Sequence, residues 1–155
     1  MTATTGPSPQ VADPSDVQEL IDRARITDLI SQLVRCLDVR EFDGLRSLFT
    51  ADATVSTAGG TATGHDALVE QARLRHSADQ GIQHFVTNLL IDRQDGDRAV
   101  VRANLLVSFA RTGVRDPAPF IVGEVYDFEL HRTHEGWRVT ALSSTTVWTI
   151  NRPAA

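Results

Sequence analysis

The chain has 155 residues, of which 41% are hydrophobic and 23% are charged. This is the length of one globular domain that buries a core without disulfides or metal. No apolar run approaches the roughly 20 residues of a membrane-spanning helix, so we expect no membrane partner. All 15 lysine-or-arginine positions hold arginine. The absence of lysine excludes lysine Schiff-base chemistry, pyridoxal-phosphate attachment and the phosphate-loop lysine.

The charge balance argues against nucleic-acid binding. The formal net charge is -5, and the arginines are scattered among 20 acidic residues. A protein that binds phosphates needs its basic residues on one face, which this pattern does not provide. We therefore expect no nucleic-acid partner.

The cysteine content and the chain ends predict a cytoplasmic protein. The single cysteine, Cys36, cannot form an internal disulfide and suits a reducing compartment. Residues 1–14 are rich in Thr, Pro and Ser and lack the basic start and apolar core of a signal peptide. We expect this segment to be a disordered tail.

Apolar spacing predicts helices in the first half of the chain. Ser15 to Gln18 resembles a capping box, and apolar residues then recur at three- and four-residue intervals. The predicted apolar face comprises Val17, Leu20, Ile21, Ala24, Ile26, Leu29, Ile30, Leu33, Val34 and Leu37. The predicted elements are a helix from Ser15 to Asp38, a short helix over 41–49, a strand over 53–56, a turn at Gly59 and Gly60, and a helix from Gly64 to about His76.

After Gly81 the pattern changes to that of long strands separated by turn residues. An Asp95-Gly96-Asp97 hairpin signal follows the first strand. The predicted strands cover 82–91, 99–111, 120–132 and 137–150. Helices followed by an antiparallel meander predict an α+β domain over residues 15–150, with helices on one face of a curved sheet. Residues 151–155 are predicted to be a C-terminal tail.

Asp38 is a polar residue at an apolar position of the first helix. It lies four residues after Val34 and eight after Ile30, so it continues the buried stripe. A buried carboxylate is costly unless it is paired or hydrogen-bonded. Asp38 is therefore a candidate site residue. Capping of the next turn, or a surface pair with Arg40 or Arg46, is the structural alternative.

His84 is the second polar residue in an apolar place. It shares one face of the strand with Ile82 and Val86. The residues on the other face are also largely apolar, so the strand is predicted to be buried on both faces. If strand and helix pack together, Asp38 accepts the proton-bearing nitrogen of His84 and the other nitrogen becomes a general base. A hydrogen-bonded core histidine is the alternative.

Several segments in chain order resemble the SnoaL-like family of the nuclear transport factor 2-like superfamily. The segments are Leu37-Asp38-Val39-Arg40 with 45–49, His84-Phe85-Val86-Thr87-Asn88, Gly123 to Tyr126, Leu130-His131-Arg132 and Gly136-Trp137-Arg138. The resemblance covers about residues 15–148. It implies a cone-shaped, curved antiparallel sheet with the N-terminal helices on its concave face.

The resemblance also implies site residues. Dehydrochlorinases and dehydratases of this superfamily are the most similar in motif, and in them an Asp–His pair removes a proton, which assigns catalytic roles to Asp38 and His84. Arg132 matches a functional arginine of the dehydrochlorinase, and Asn104 falls near a polar pocket position of the dehydratases. Trp148 is predicted to line the mouth of the cone, unless it is a core or interface aromatic.

Two positions depart from the family pattern. Five residues before Asp38, many relatives carry tyrosine or lysine, whereas this chain has Leu33. Phe128 stands where an aspartate is common. These changes leave a base without an acid partner and predict an apolar substrate-binding pocket. Tyr126 is the candidate replacement hydroxyl if it faces the pocket, and Glu129 is the alternative, because strand parity lets only one of them do so.

The remaining motifs predict no metal or cofactor site. His131 and His134 resemble a metal pair, but three residues apart on a strand they face opposite sides. No second cysteine or nearby carboxylate completes a four-ligand set. The glycines at 59, 60 and 64 lack the order of a dinucleotide-binding loop. Cys36 has no base beside it and is predicted to be a packed thiol.

These observations predict a cofactor-free lyase or isomerase, similar to dehydratases, dehydrohalogenases or cyclases, that binds a small hydrophobic molecule. Because the chain has no lysine, the candidate general acids are His84, which would return the proton it removed, and Tyr126. The alternatives are a non-catalytic small-molecule binding protein of the same fold and an auxiliary subunit of an oxygenase. The family resemblance implies a homo-oligomer, either dimer or trimer.

Overall fold

Helices occupy the first half of the chain and long strands the second, which confirms the α+β class. The computed structural model describes residues 13–93, 96–111, 113 and 119–151. Two α-helices and six strands occur there, with a 3-10 helix over Phe42–Ser47. The helices are α1 (Pro14–Asp38) and α2 (His65–Arg75), and the strands are β1 (Phe49–Thr57), β2 (Gly60–Thr63), β3 (Gln80–Arg93), β4 (Arg98–Arg111), β5 (Phe120–Thr133) and β6 (Gly136–Ile150).

The six strands form one curved sheet in the order β2-β1-β6-β5-β4-β3. The four long strands pair antiparallel in sequence order, as the turn signals predict. β1 pairs parallel to β6, so the sheet is mixed rather than fully antiparallel. β2 is an addition to the predicted strands, and it pairs with β1 through the turn at Gly59 and Gly60.

Helix α1 begins one residue before the predicted start. The carboxylate of Asp13 accepts a hydrogen bond from the backbone N–H of Ser15 at 2.8 Å, so Asp13 is the N-cap. Pro14 then occupies the first helical position, where its missing N–H costs nothing. The rest of the predicted N-terminal tail, residues 1–12, lies outside the described residues, as do residues 152–155.

The first turns of α1 do not pack on the sheet. Val17, Leu20 and Ile21 belong to the predicted apolar face, but they are exposed. The buried stripe begins instead at Asp22 and continues through Ile26. Apolar spacing identifies a helix face but does not show how far the partner sheet extends beneath it.

Strand β3 is buried on one face only, contrary to the prediction of two. Phe85 is 46% exposed and Leu90 is 65% exposed on the outer face of the sheet. Ile82 is buried on the inner face, where His84 also lies, paired in register with the buried Val107. No layer covers the outer face in the described structure, so its apolar residues remain accessible.

The core fills the space between the helices and the inner face of the sheet. Its largest fully buried side chains come from both helices and from β4, β5 and β6, and they include Ile26, Val69, Val101, Phe128 and Val139. In the part of the chain that the structure describes, no helix is long and apolar enough to cross a membrane.

Candidate active site

A cavity of about 630 Å³ lies between the two helices and the inner face of the sheet. Cavities that hold small molecules measure about 300–1,000 Å³, so this one has the size of a binding site. Most of its wall is apolar and includes Leu33, Leu37, Phe49, Val107, Phe109, Phe120 and Val122. Its polar lining includes Gln71, Arg75, His76, His84, Glu124, Tyr126 and Thr146.

Asp38 and His84 meet at this cavity. The distance from His84 Nδ1 to Asp38 Oδ1 is 2.6 Å, and the His84 side chain is only 3% exposed. The backbone N–H of His84 also donates to both oxygens of the carboxylate, at 3.1 and 3.3 Å. Because a carboxylate accepts, Nδ1 carries the proton. This leaves Nε2, which has no hydrogen-bond partner among the described residues, as the basic nitrogen.

The local backbone explains why the pair forms. Asp38 is the last residue of α1, and the chain reverses after it at Arg40, whose φ is 59°. The Arg40 guanidinium donates to the carbonyl of Ser77 at 2.6 Å and to that of Gln80, which begins β3. Arg40 therefore ties the start of the His84 strand to the end of the Asp38 helix. The alternative pairs of Asp38 with Arg40 or Arg46 do not occur, since Arg46 bonds to Asp66.

His76 is a second cavity histidine that the sequence did not single out. It caps the end of α2, and its Nδ1 lies 2.6 Å from the carbonyl oxygen of Ala72. Its ring centroid is 6.1 Å from that of His84 and 5.6 Å from that of Phe42. Burial, above all, lowers the pKa of His76, and the neighbouring His84 adds to this effect. His76 is therefore held neutral, with Nδ1 donating.

The lowered pKa of His76 predicts a pH-dependent stability. The unfolded chain titrates this histidine at about pH 6.5, whereas the folded chain binds the proton only at lower pH. The stabilisation is therefore complete above about pH 6.5 and is lost as the pH falls through the lowered pKa. Urea unfolding at pH 7 and pH 5 should show a smaller drop for His76→Gln than for the wild type. The exposed His131→Gln is the control, and an equal drop in all three proteins would contradict this assignment.

Tyr126 faces the cavity, whereas Glu129 is exposed on the outer face. Burial raises the pKa of the Tyr126 hydroxyl, and the nearby carboxylate of Glu124 raises it further. Glu124 also accepts a hydrogen bond from the hydroxyl of Thr146 at 3.1 Å. A neutral phenol with a raised pKa can hold a substrate oxygen by hydrogen bonding, but it is a weak proton donor.

The two departures from the family pattern have different positions. Leu33 lines the cavity and is almost fully buried. Phe128 is on the inner face but is not part of the cavity wall. Its ring packs against that of Tyr126, with 5.9 Å between centroids.

Arg132 lies away from the cavity and bonds to a buried carboxylate instead. Its guanidinium is 2.5 Å from Asp22 Oδ2 and 3.2 Å from Asp97, and it stacks 4.6 Å from the centre of the Trp137 ring. Asp22 is fully buried and also accepts from the indole N–H of Trp137. Burial alone would raise the pKa of Asp22, but these hydrogen bonds outweigh it and lower the pKa to about 2.

Asn104 and Trp148 are on the outer face of the sheet, so neither lines the cavity. Asn104 alternates with the buried Ala103 and Leu105 of β4. Trp148 pairs with Gly123 and covers it so closely that a Cβ at Gly123 would lie 2.2 Å from the indole. The register shift beside this pair turns Trp148 outward.

The described residues contain no group of three or more His, Cys, Asp or Glu side chains arranged to hold a metal ion. His131 and His134 are both exposed. Cys36 is buried, and burial raises the pKa of its thiol. These three residues therefore have no part in the candidate site.

Comparison with known proteins identifies similar folds. A sequence model of the SnoaL-like domain matches residues 18–143. Hexachlorocyclohexane dehydrochlorinase LinA-type3 from Novosphingobium barchaimii LL02 is 21% identical, with a TM-score of 0.78 over 90% of this chain and 96% of that chain. A proposed scytalone dehydratase from Novosphingobium aromaticivorans is 22% identical, with a TM-score of 0.79 over 90% and 93%. The Kfla4162 protein from Kribbella flavida is 24% identical, with a TM-score of 0.76 over 86% and 95%. No curated protein matches the chain in sequence.

Proposed function

The chain belongs to the SnoaL-like domain family, and from this premise we propose that it is a cofactor-free lyase or isomerase acting on a small hydrophobic molecule. The observation that carries the proposal is the 2.6 Å contact between Asp38 and His84 at the wall of the cavity. The dehydrochlorinase and dehydratase of similar fold add support at the level of reaction class. The site geometry and the reaction classes named for these similar proteins both support proton transfer at carbon.

In the proposed reaction, Nε2 of His84 takes a proton bound to a substrate carbon. The electron pair of that C–H bond forms a double bond, and in an elimination the leaving group departs with its own bonding pair. In an isomerisation, an existing double bond of the substrate shifts to accept the displaced electron pair, and His84 returns the proton to a different carbon. Asp38 stabilises the imidazolium that forms in either case, and a positioned general base contributes about 10²- to 10⁴-fold in rate.

The cavity wall explains the preference for a hydrophobic substrate. Leu33, Leu37 and Val107 contribute only hydrocarbon to the wall. Expulsion of water by such a substrate strengthens the contact between Asp38 and the imidazolium, since electrostatic interactions grow as the local dielectric constant falls. Binding of an apolar substrate in this cavity therefore also strengthens His84 as a base.

The proton donor is most simply His84 itself. Arginine stays protonated at neutral pH and donates no proton as an acid, and the chain has no lysine. The raised pKa of Tyr126 suits hydrogen bonding to a substrate oxygen better than proton donation. The proposed mechanism therefore uses one base, with Tyr126 orienting the substrate.

Proton exchange in heavy water tests this function whatever the product is. The protein is incubated in D₂O with a panel of small hydrophobic ketones, halides and carboxylic acids that carry an acidic C–H bond. Mass spectrometry should detect deuterium incorporation or an elimination product with the wild type. His84→Gln should abolish both signals, whereas the exposed His131→Gln should retain them.

The same experiment distinguishes the second candidate, a non-catalytic binding protein. Leu33 favours this candidate, because a cavity position that holds tyrosine or lysine in many related enzymes is apolar here. Panel members that bind but return without deuterium would support binding alone. Exchange that persists in His84→Gln would overturn the proposed role of the dyad.

A further inference from the structure

Arg75 places a cationic group at the rim of the cavity. It is the last residue of α2 and lines the cavity beside Gln71 and Thr57. Its guanidinium extends from the end of α2 toward the β1–β2 turn.

The guanidinium of Arg75 has no carboxylate or hydrogen-bond partner among the described residues. Arg73, on the same helix, differs in this respect, because it bonds to Asp43 at 2.8 Å and does not line the cavity. Within the described cavity wall, the one carboxylate is Glu124, which accepts from Thr146. The N–H donors of the Arg75 guanidinium are thus left for a group that enters the cavity.

We propose that Arg75 binds the carboxylate of the substrate, which is therefore an apolar monocarboxylic acid. This inference rests on the proposed function, since it names the substrate class of the same cavity. The hydrocarbon part of such an acid fits the apolar wall, while the carboxylate stays at the rim, where it is partly hydrated. The planar guanidinium donates two parallel N–H bonds that match the two oxygens of a carboxylate. Arg75 determines specificity and takes no part in proton transfer.

Calorimetric titration with matched pairs of ligands tests the proposal. Each aryl carboxylate, such as 2-naphthoate or biphenyl-4-carboxylate, is compared with its neutral primary amide. The wild type should bind the acids about tenfold more tightly than the amides, as expected for charge-assisted hydrogen bonds. Arg75→Gln should lose this preference without weakening the amides. The control Arg73→Gln should leave it unchanged.

Two outcomes would overturn the inference: a wild type that prefers no acid of the panel over its amide, or an acid preference that persists in Arg75→Gln. His84→Gln separates this inference from the proposed function, because binding of the carboxylate requires no proton transfer. An acid preference retained in His84→Gln supports the role of Arg75 whether or not the deuterium experiment succeeds. Deuterium exchange without acid preference would instead support the dyad and reject the acidic substrate.

Discussion

Asparagine in place of Asp38 is expected to lower the rate of proton transfer by about 10²- to 10⁴-fold while the fold persists. The neutral amide does not stabilise the imidazolium, and its NH₂ group would favour the opposite tautomer of His84. Its carbonyl oxygen still accepts from the backbone N–H of His84, which bonds to Asp38 at 3.1 Å. The chemical role of the carboxylate is thereby separated from its structural role.

The measurement is kcat for a substrate found by deuterium exchange, with urea unfolding as the check on folding. Asp38→Ala should lose activity and stability together, because it also removes the backbone hydrogen bond. Asp127→Asn is the matched control, since Asp127 pairs with Arg102 on the exposed outer face. If Asp38→Asn kept the wild-type kcat, Asp38 would only connect α1 to β3 and would have no chemical role.

Replacing Arg132 by methionine is expected to lower the free energy of unfolding by about 3–5 kcal/mol. Asp22 is fully buried, so loss of the guanidinium leaves a charged group without its main partner. Arg102→Met breaks the exposed pair with Asp127 and should cost only about 0–1 kcal/mol. Urea unfolding at pH 7 compares the two variants, and equal losses would contradict a buried ion pair at Asp22.

The same variant should shift the acid sensitivity of the fold. Asp22 ionises with a pKa of about 2 in the folded chain and about 3.9 when unfolded. The linked stability is present above about pH 4 and is lost as the pH falls through about 2. Arg132→Met removes the main group that lowers this pKa, so its acid unfolding should begin at higher pH. If Arg132→Met had normal stability but no activity, this result would instead support the predicted role of Arg132 in substrate binding.

The sequence predicted the fold class and most element boundaries because periodicity reflects which faces are buried. The long strands from Gln80 to Ile150 were located to within about two residues. β2 was missed because four residues are too few for a periodic signal. The parallel pairing of β1 with β6 was missed because strands far apart in sequence leave no local signature of their partner.

The candidate pair was found because a polar residue on an apolar face requires a partner. The same reasoning applies to Asp22, which lies four residues before Ile26 on the same stripe of α1. Family resemblance placed Arg132 at the substrate. Its side chain is on the inner face, but the partner that it finds there is Asp22 rather than the cavity. A side chain on the inner face of a long strand contacts either the cavity or a helix. Which of the two it contacts depends on the part of the sheet that the helix covers.

The cavity residues on α2 were beyond prediction for a different reason. His76 and Arg75 are near the end of the predicted third helix, where polar residues are common and carry no burial signal. Their membership of the site depends on how α2 packs beside β1 and β3. Asn104 was misplaced because strand side chains alternate, so a shift of one residue in alignment exchanges the two faces of the sheet.

Helix α1 is fixed to the sheet at two points, by Asp22 near its beginning and by Asp38 at its end. These residues are separated by 16 positions, or about 24 Å along the helix axis. Inserting or deleting one residue between them would rotate one end by about 100° relative to the other, so both contacts could not form. Homologous chains that keep both aspartates should therefore keep this spacing, and their length differences should fall in the loops and tails.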